Sequence, residues 1–116
     1  MTEPVFSPAD VEAMLARIDV MIDALQGGTV PGLRKLQKLF EDLRPCAHHR
    51  EIVARSMLMY AEMCSEGCPA GLPAFQELLK LGLFDSVIAA IQRFSDDAEI
   101  IGACFVLLDI NLNGKK

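Results

Sequence analysis

The chain has 116 residues, 52% of them hydrophobic and 6% aromatic, with no tryptophan and a formal net charge of −5. That length suits one domain with its own core, and the apolar fraction excludes a disordered chain. The acidic balance argues against a nucleic-acid binder, which carries a basic stripe.

The first helix signal is Ser7-Pro8-Ala9-Asp10, a capping hydroxyl followed by proline at the first helical position. Val11, Met14, Leu15, Ile18, Met21, Ile22 and Leu25 then recur at three- and four-residue spacing, which predicts an amphipathic helix ending at Gln26-Gly27-Gly28. Thr29-Val30-Pro31-Gly32 leads into a second helix with the stripe Leu33, Leu36, Leu39, Phe40 and Leu43, closed by Arg44-Pro45. Its basic residues Arg34, Lys35 and Lys38 run straight into Glu41-Asp42 and read as a solvated face.

A third helix starts near Cys46 to His49, carries Ile52, Val53, Met57, Leu58, Tyr60, Ala61 and Met63, and stops near Ser65-Glu66-Gly67. Cys68-Pro69-Ala70-Gly71 reads as a turn. A short helix follows with Leu72, Phe75, Leu78 and Leu79, then a fifth from Leu83 to Phe94 that buries Leu83, Phe84, Val87, Ile88 and Ile91. Ser95-Asp96 offer oxygens to the start of a sixth helix, whose first turn carries Asp97 and Glu99. From Ile100 to Leu112 that segment is apolar almost all round, so it is expected to be the innermost helix, with neighbours on several sides. It is too short and too acidic at its start to span a membrane. No segment alternates as a strand does, so the expected fold is all-α, one domain over 1–116.

Within that domain the chain repeats itself. Gly32-Leu33 through Glu51-Ile52-Val53 and Gly82-Leu83 through Glu99-Ile100-Ile101 both read Gly-Leu, a helix, a polar break, Glu with two aliphatics, and a longer helix. The second copy, with Ala74-Phe75-Gln76-Glu77-Leu78-Leu79 running through Gly82, then Ser86-Val87-Ile88-Ala89-Ala90-Ile91, then Ser95-Asp96-Asp97-Ala98-Glu99-Ile100, resembles an armadillo repeat. The resemblance implies a right-handed superhelix of about six helices, with 7–26 as a capping helix, 29–66 as one repeat-like unit and 69–112 as the other. In peptide-binding members of that family the third helix of a repeat presents a tryptophan and an asparagine to a groove. Here the matching positions are Leu58 and Glu62, then Val106 and Ile110, so nuclear-signal recognition of that kind is not expected.

What remains is a groove of another chemistry. The resemblance implies a protein–protein interaction scaffold whose contact residues are Arg55, Leu58, Met59, Glu62, Val106, Asp109 and Ile110, binding a peptide or helix of basic character. An alternative is a self-associating unit, or a fragment of a longer array, using the last helix as its interface. Cys46, His48, His49, Cys64 and Cys68 are the only soft-ligand cluster, but the two ends of the cluster are separated by a helix about 20 Å long, so no metal or other cofactor is expected. The carboxylate pairs read as caps and solvated faces rather than catalytic groups, and no nucleophile elbow or phosphate loop is present, so no enzyme is expected. The methionines read as core. The four cysteines, with an N-terminus that lacks a basic start and an apolar run, suggest reduced thiols in the cytoplasm.

Overall fold

The computed structural model describes residues 7–30, 32–64 and 71–113, the last four of them (110–113) by backbone alone. Among the described residues it holds six α-helices and no strand: α1 (Pro8–Gln26), α2 (Leu33–Leu43), α3 (Arg50–Met63), α4 (Gly71–Lys80), α5 (Leu83–Arg93) and α6 (Ala98–Asn113). A single 3₁₀ turn, Arg44–Cys46, joins α2 to α3. The expected Ser65-Glu66-Gly67 stop and the turn through Cys68 lie outside the described residues.

Local chemistry sets these boundaries. Ser7 Oγ accepts from the Asp10 N–H at 3.1 Å while Asp10 Oδ2 accepts from the Ser7 N–H at 3.3 Å, a reciprocal cap on α1. At the other end the Thr29 N–H reaches the Ala24 carbonyl (2.9 Å) and the Gly28 N–H reaches Leu25 (3.0 Å), with Gly28 at φ 84°. That backbone conformation is available to glycine at little cost, and it satisfies two carbonyls that the helix leaves open.

The helix at the centre is α3, not α6. It packs against α1, α4 and α6, and buries Ile52, Val53, Ala54, Ser56, Met57, Met59, Tyr60 and Met63. Ile18 and Leu25 of α1 lie in the same core as Leu36, Leu39 and Phe40 of α2. Gly71, at the start of α4, passes so close to the end of α3 that a Cβ there would meet the Met63 carbonyl oxygen at 2.1 Å. On α5, Leu83, Val87 and Ala90 are buried, but Phe84, expected in the core, remains 39% exposed.

The expectation that α6 is enclosed on every side is overturned. Among its residues with described side chains, 98–109, the buried ones are Ile100, Cys104 and Leu107, a stripe at helical spacing that faces the core beside α3 and α5. Phe105 and Val106 face outward, 59% and 48% exposed. The cap of α6 also differs. The side chain that accepts from the first turn is that of Asp97, whose Oδ1 takes the Ile100 N–H at 3.3 Å, and not that of Ser95 or Asp96.

Candidate functional site

Of the residues expected to meet a partner, Leu58 (43% exposed), Val106 and Asp109 are on the surface, and Glu62 is half-buried. Two others need correction. Met59 is 1% exposed and belongs to the core, because it sits on the side of α3 turned toward its packing neighbours. Arg55 does not face an open groove alone: its guanidinium bonds the Asp19 carboxylate, pinning α3 to α1. Ile110 lies where side chains are not described. Positions 51, 55, 58 and 62 fall on one stripe of α3 by helical spacing, and 102, 106 and 109 on one stripe of α6.

The two stripes are tied at one end. Arg50, the first residue of α3, holds Asp97 through two bonds, Nε to Oδ2 at 2.5 Å and Nη2 to Oδ1 at 3.1 Å, and its Nη2 lies 3.6 Å from Glu99. This fork geometry fixes direction as well as distance. The Arg50 bond, first, and then the Ile100 N–H hold the Asp97 carboxyl below its ordinary value, against the opposing effect of desolvation. The starts of α3 and α6 are therefore level. Leu58 lies about 12 Å along α3 from Arg50, and Val106 about 12 Å along α6 from Ala98, at a rise of ~1.5 Å per residue. The carboxylates Asp97 and Glu99 thus serve a cap and an ion pair, as their helix-start reading implied.

A second feature was not anticipated from the sequence. The end of α2 and the 3₁₀ turn, the inner side of α3 and the first turns of α5 enclose a cleft of about 320 Å³. Phe40, Val53, Met57 and Ala90 form its apolar walls, and Ser56 and Tyr60 also line it. Ser56 donates to the Val53 carbonyl at 2.9 Å. Tyr60 is 2% exposed, packs edge-on to Phe40 with ring centroids 6.5 Å apart, and has no hydrogen bond to its hydroxyl from any described residue. Burial pushes its phenol well above the ordinary value, so it stays protonated at neutral pH.

Arg44 stands at the mouth. Its Nη2 donates to the Leu81 carbonyl at 2.6 Å and its guanidinium carbon lies 5.1 Å from the Phe40 ring centroid. Opposite, Gly82 at φ 106° opens α5 without a side-chain cap, and a Cβ there would come within 3.1 Å of Arg44. The signals were present in the chain: the lone tyrosine, an arginine before proline, and a glycine between two helices. None of them reveals that the turn after α2 reaches the turn before α5.

The soft-ligand cluster does not assemble among the described residues, where no three of histidine, cysteine, aspartate and glutamate lie together; Cys68 is outside them. Cys46, Cys64 and Cys104 are free thiols. Burial pushes Cys64 up to about 12 and Cys104 up to about 11, and raises Cys46, whose Sγ lies 3.7 Å from the Asp42 carbonyl. Thiols held protonated in this way are poor nucleophiles and poor ligands. Arg34, Lys35 and Lys38 are exposed, and Lys38 and Arg17 both pair with Asp42, as a solvated face implies. No described helix is long and apolar enough to cross a membrane.

Comparison with known families, with curated proteins and with solved structures gives no match to this chain.

Proposed function

We propose that the chain is a protein-interaction module built on an armadillo-like, right-handed superhelix, without catalytic activity, that receives a basic amphipathic peptide or helix on the outward stripes of α3 and α6. The observation that carries this reading is the set of large exposed apolar side chains on two helices that pack on each other: Leu58, Phe105 and Val106. Single exposed apolar residues are ordinary, but several on adjacent helices make a patch of the kind partners cover. Glu51, Glu62 and Asp109 share the stripes, so the patch has an acidic rim that would orient a basic partner and speed its approach. The level starts of α3 and α6, the third helices of the two repeat-like units, support the superhelical arrangement. The free thiols among the described residues, Cys46 and Cys104 buried and Cys64 partly so, fit a reducing cytoplasmic compartment.

The test is fluorescence anisotropy with a labelled, helical leucine–lysine peptide and its leucine–glutamate counterpart. The wild-type chain binds the basic peptide in preference to the acidic one. Leu58→Lys with Val106→Lys weakens that binding at least tenfold, about 1.4 kcal/mol, with an unchanged thermal melt. Equal binding by wild type and double variant overturns the proposal. The same apolar exposure favours a second reading, self-association through α6. Light scattering distinguishes it: a dimer that Val106→Lys dissolves identifies the occupant as a second copy.

A further inference from the structure

The cleft beneath Arg44 carries an assignment that does not depend on the outward face. We infer that it binds a small monocarboxylic acid with an apolar body. Its volume of about 320 Å³ is at the lower end of the range for ligand pockets, roughly 300–1,000 Å³. Its walls are hydrophobic with a few placed polar groups, the composition such sites share. Two donors bear on it, and both lack an acceptor of the right kind.

The first is the Tyr60 hydroxyl. Tyr60 as a whole is 2% exposed, no described residue supplies its hydroxyl a partner, and the hydroxyl oxygen is not itself sealed from solvent, so it is open to a ligand in the cleft that the residue lines. The second is Arg44. Its guanidinium is held by the Leu81 carbonyl and the Phe40 ring, but no described carboxylate lies within ion-pair distance of it. One N–H is used on Leu81, and the remaining donors keep the planar fork that matches a carboxylate. The uncapped start of α5, a helix of 11 residues, adds partial positive charge at the same mouth.

A carboxylate, with several lone pairs, answers donors of both kinds. Asp85 also lines the cleft, which favours a singly charged head group over the doubly charged phosphate. The apolar body lies against Val53, Met57 and Ala90. Selectivity thus comes from Arg44 and Asp85 together, and affinity from burial of the body.

The chain reports on this site directly, because it contains one tyrosine and no tryptophan. Tyrosine emission is followed while octanoate, octanol or octyl phosphate is added to the full chain. Octanoate changes the emission saturably and binds roughly tenfold more tightly than the other two. Arg44→Gln reduces octanoate to the level of octanol and leaves octanol unchanged. Ala89→Leu, placed at an exposed lining position where it fills the cleft with little cost to folding, abolishes the response and leaves the circular dichroism melt intact. Three results overturn the inference: no response to octanoate, an undiminished response in Ala89→Leu, or equal affinity for octanol and octanoate that Arg44→Gln does not alter.

Discussion

α3 and α6 pack on each other, and they use their apolar residues in opposite ways. α3 is the more polar in sequence, with Arg50, Glu51, Arg55, Ser56 and Glu62, yet it buries eight of its 14 residues. α6 is the greasier, yet Phe105 and Val106 stand in water. The difference lies in neighbours. α1 and α6 flank α3 and α4 packs against it as well, while α6 rests on α3 and α5 along a narrow stripe. The charges of α3 survive because they sit at its margins, where Arg55 meets Asp19 of α1 and Arg50 meets Asp97 of α6. Apolar content measures how much contact a helix would gain, and topology decides how much it receives.

The largest effects test that distinction inside the core. Ile52→Ala and Met59→Ala on α3 each cost about 2–5 kcal/mol of unfolding free energy, measured by urea denaturation, because both side chains are at most 1% exposed. Leu107→Ala, on the inner stripe of α6, falls in the same range for the same reason. If Leu107→Ala proved cheap while Ile52→Ala did not, α6 would be only loosely docked, and the comparison would sharpen into a stable α1–α3 core with a detachable sixth helix.

Next come the two pH limbs, one on each side of the joint. Tyr60 on α3 is pushed above its ordinary value of 10.0 by burial, so the unfolded chain releases this proton first. Stability therefore falls as pH rises above about 10, and the phenolate absorbance of the lone tyrosine appears together with loss of helix. Tyr60→Phe removes that coupling. Asp97 at the start of α6 is held below its ordinary 3.8, chiefly by Arg50. Its contribution is complete above the unfolded value and is lost as pH falls through the folded one. Asp97→Asn keeps an oxygen for the Ile100 N–H but loses the ion pair, so it lowers the melting temperature at neutral pH and flattens the acid limb.

These outcomes bear on how far the chain announced its own structure. The helix boundaries were legible because they are local: Ser7 and Asp10 cap each other three residues apart, and Pro45 stops α2 by its own sterics. Which helix sits at the centre was not, since periodicity gives the width of an apolar face but not the number of elements laid against it. Leu58 and Val106 are exposed, but spacing did not reveal that Asp19 lies opposite Arg55, 36 residues away. The cleft was the least legible feature. It depends on Arg44 crossing to the Leu81 carbonyl, a contact between segments 37 residues apart that leaves no mark in local pattern.

A smaller gain is available where α3 begins. His49 holds the N-cap position in extended conformation without bonding the first turn, and its Nδ1 is buried without a partner among the described residues. His49→Asn supplies an acceptor for the open N–H groups and removes the unsatisfied nitrogen. It raises stability by about 0.5–1 kcal/mol in the same denaturation assay.

The smallest expected effect is the most discriminating. Phe105→Ala and Val106→Ala change unfolding free energy by no more than about 0.5 kcal/mol in dilute solution, since both side chains keep about half or more of their surface in water in the folded single chain. Repeating the melts across a wide range of protein concentration completes the test. A melting temperature that is constant in the wild type shows that the outward stripe of α6 is bare until a partner arrives. One that climbs with concentration in the wild type, but not in Val106→Ala, shows a second copy already covering it, because only binding to the folded form produces that dependence.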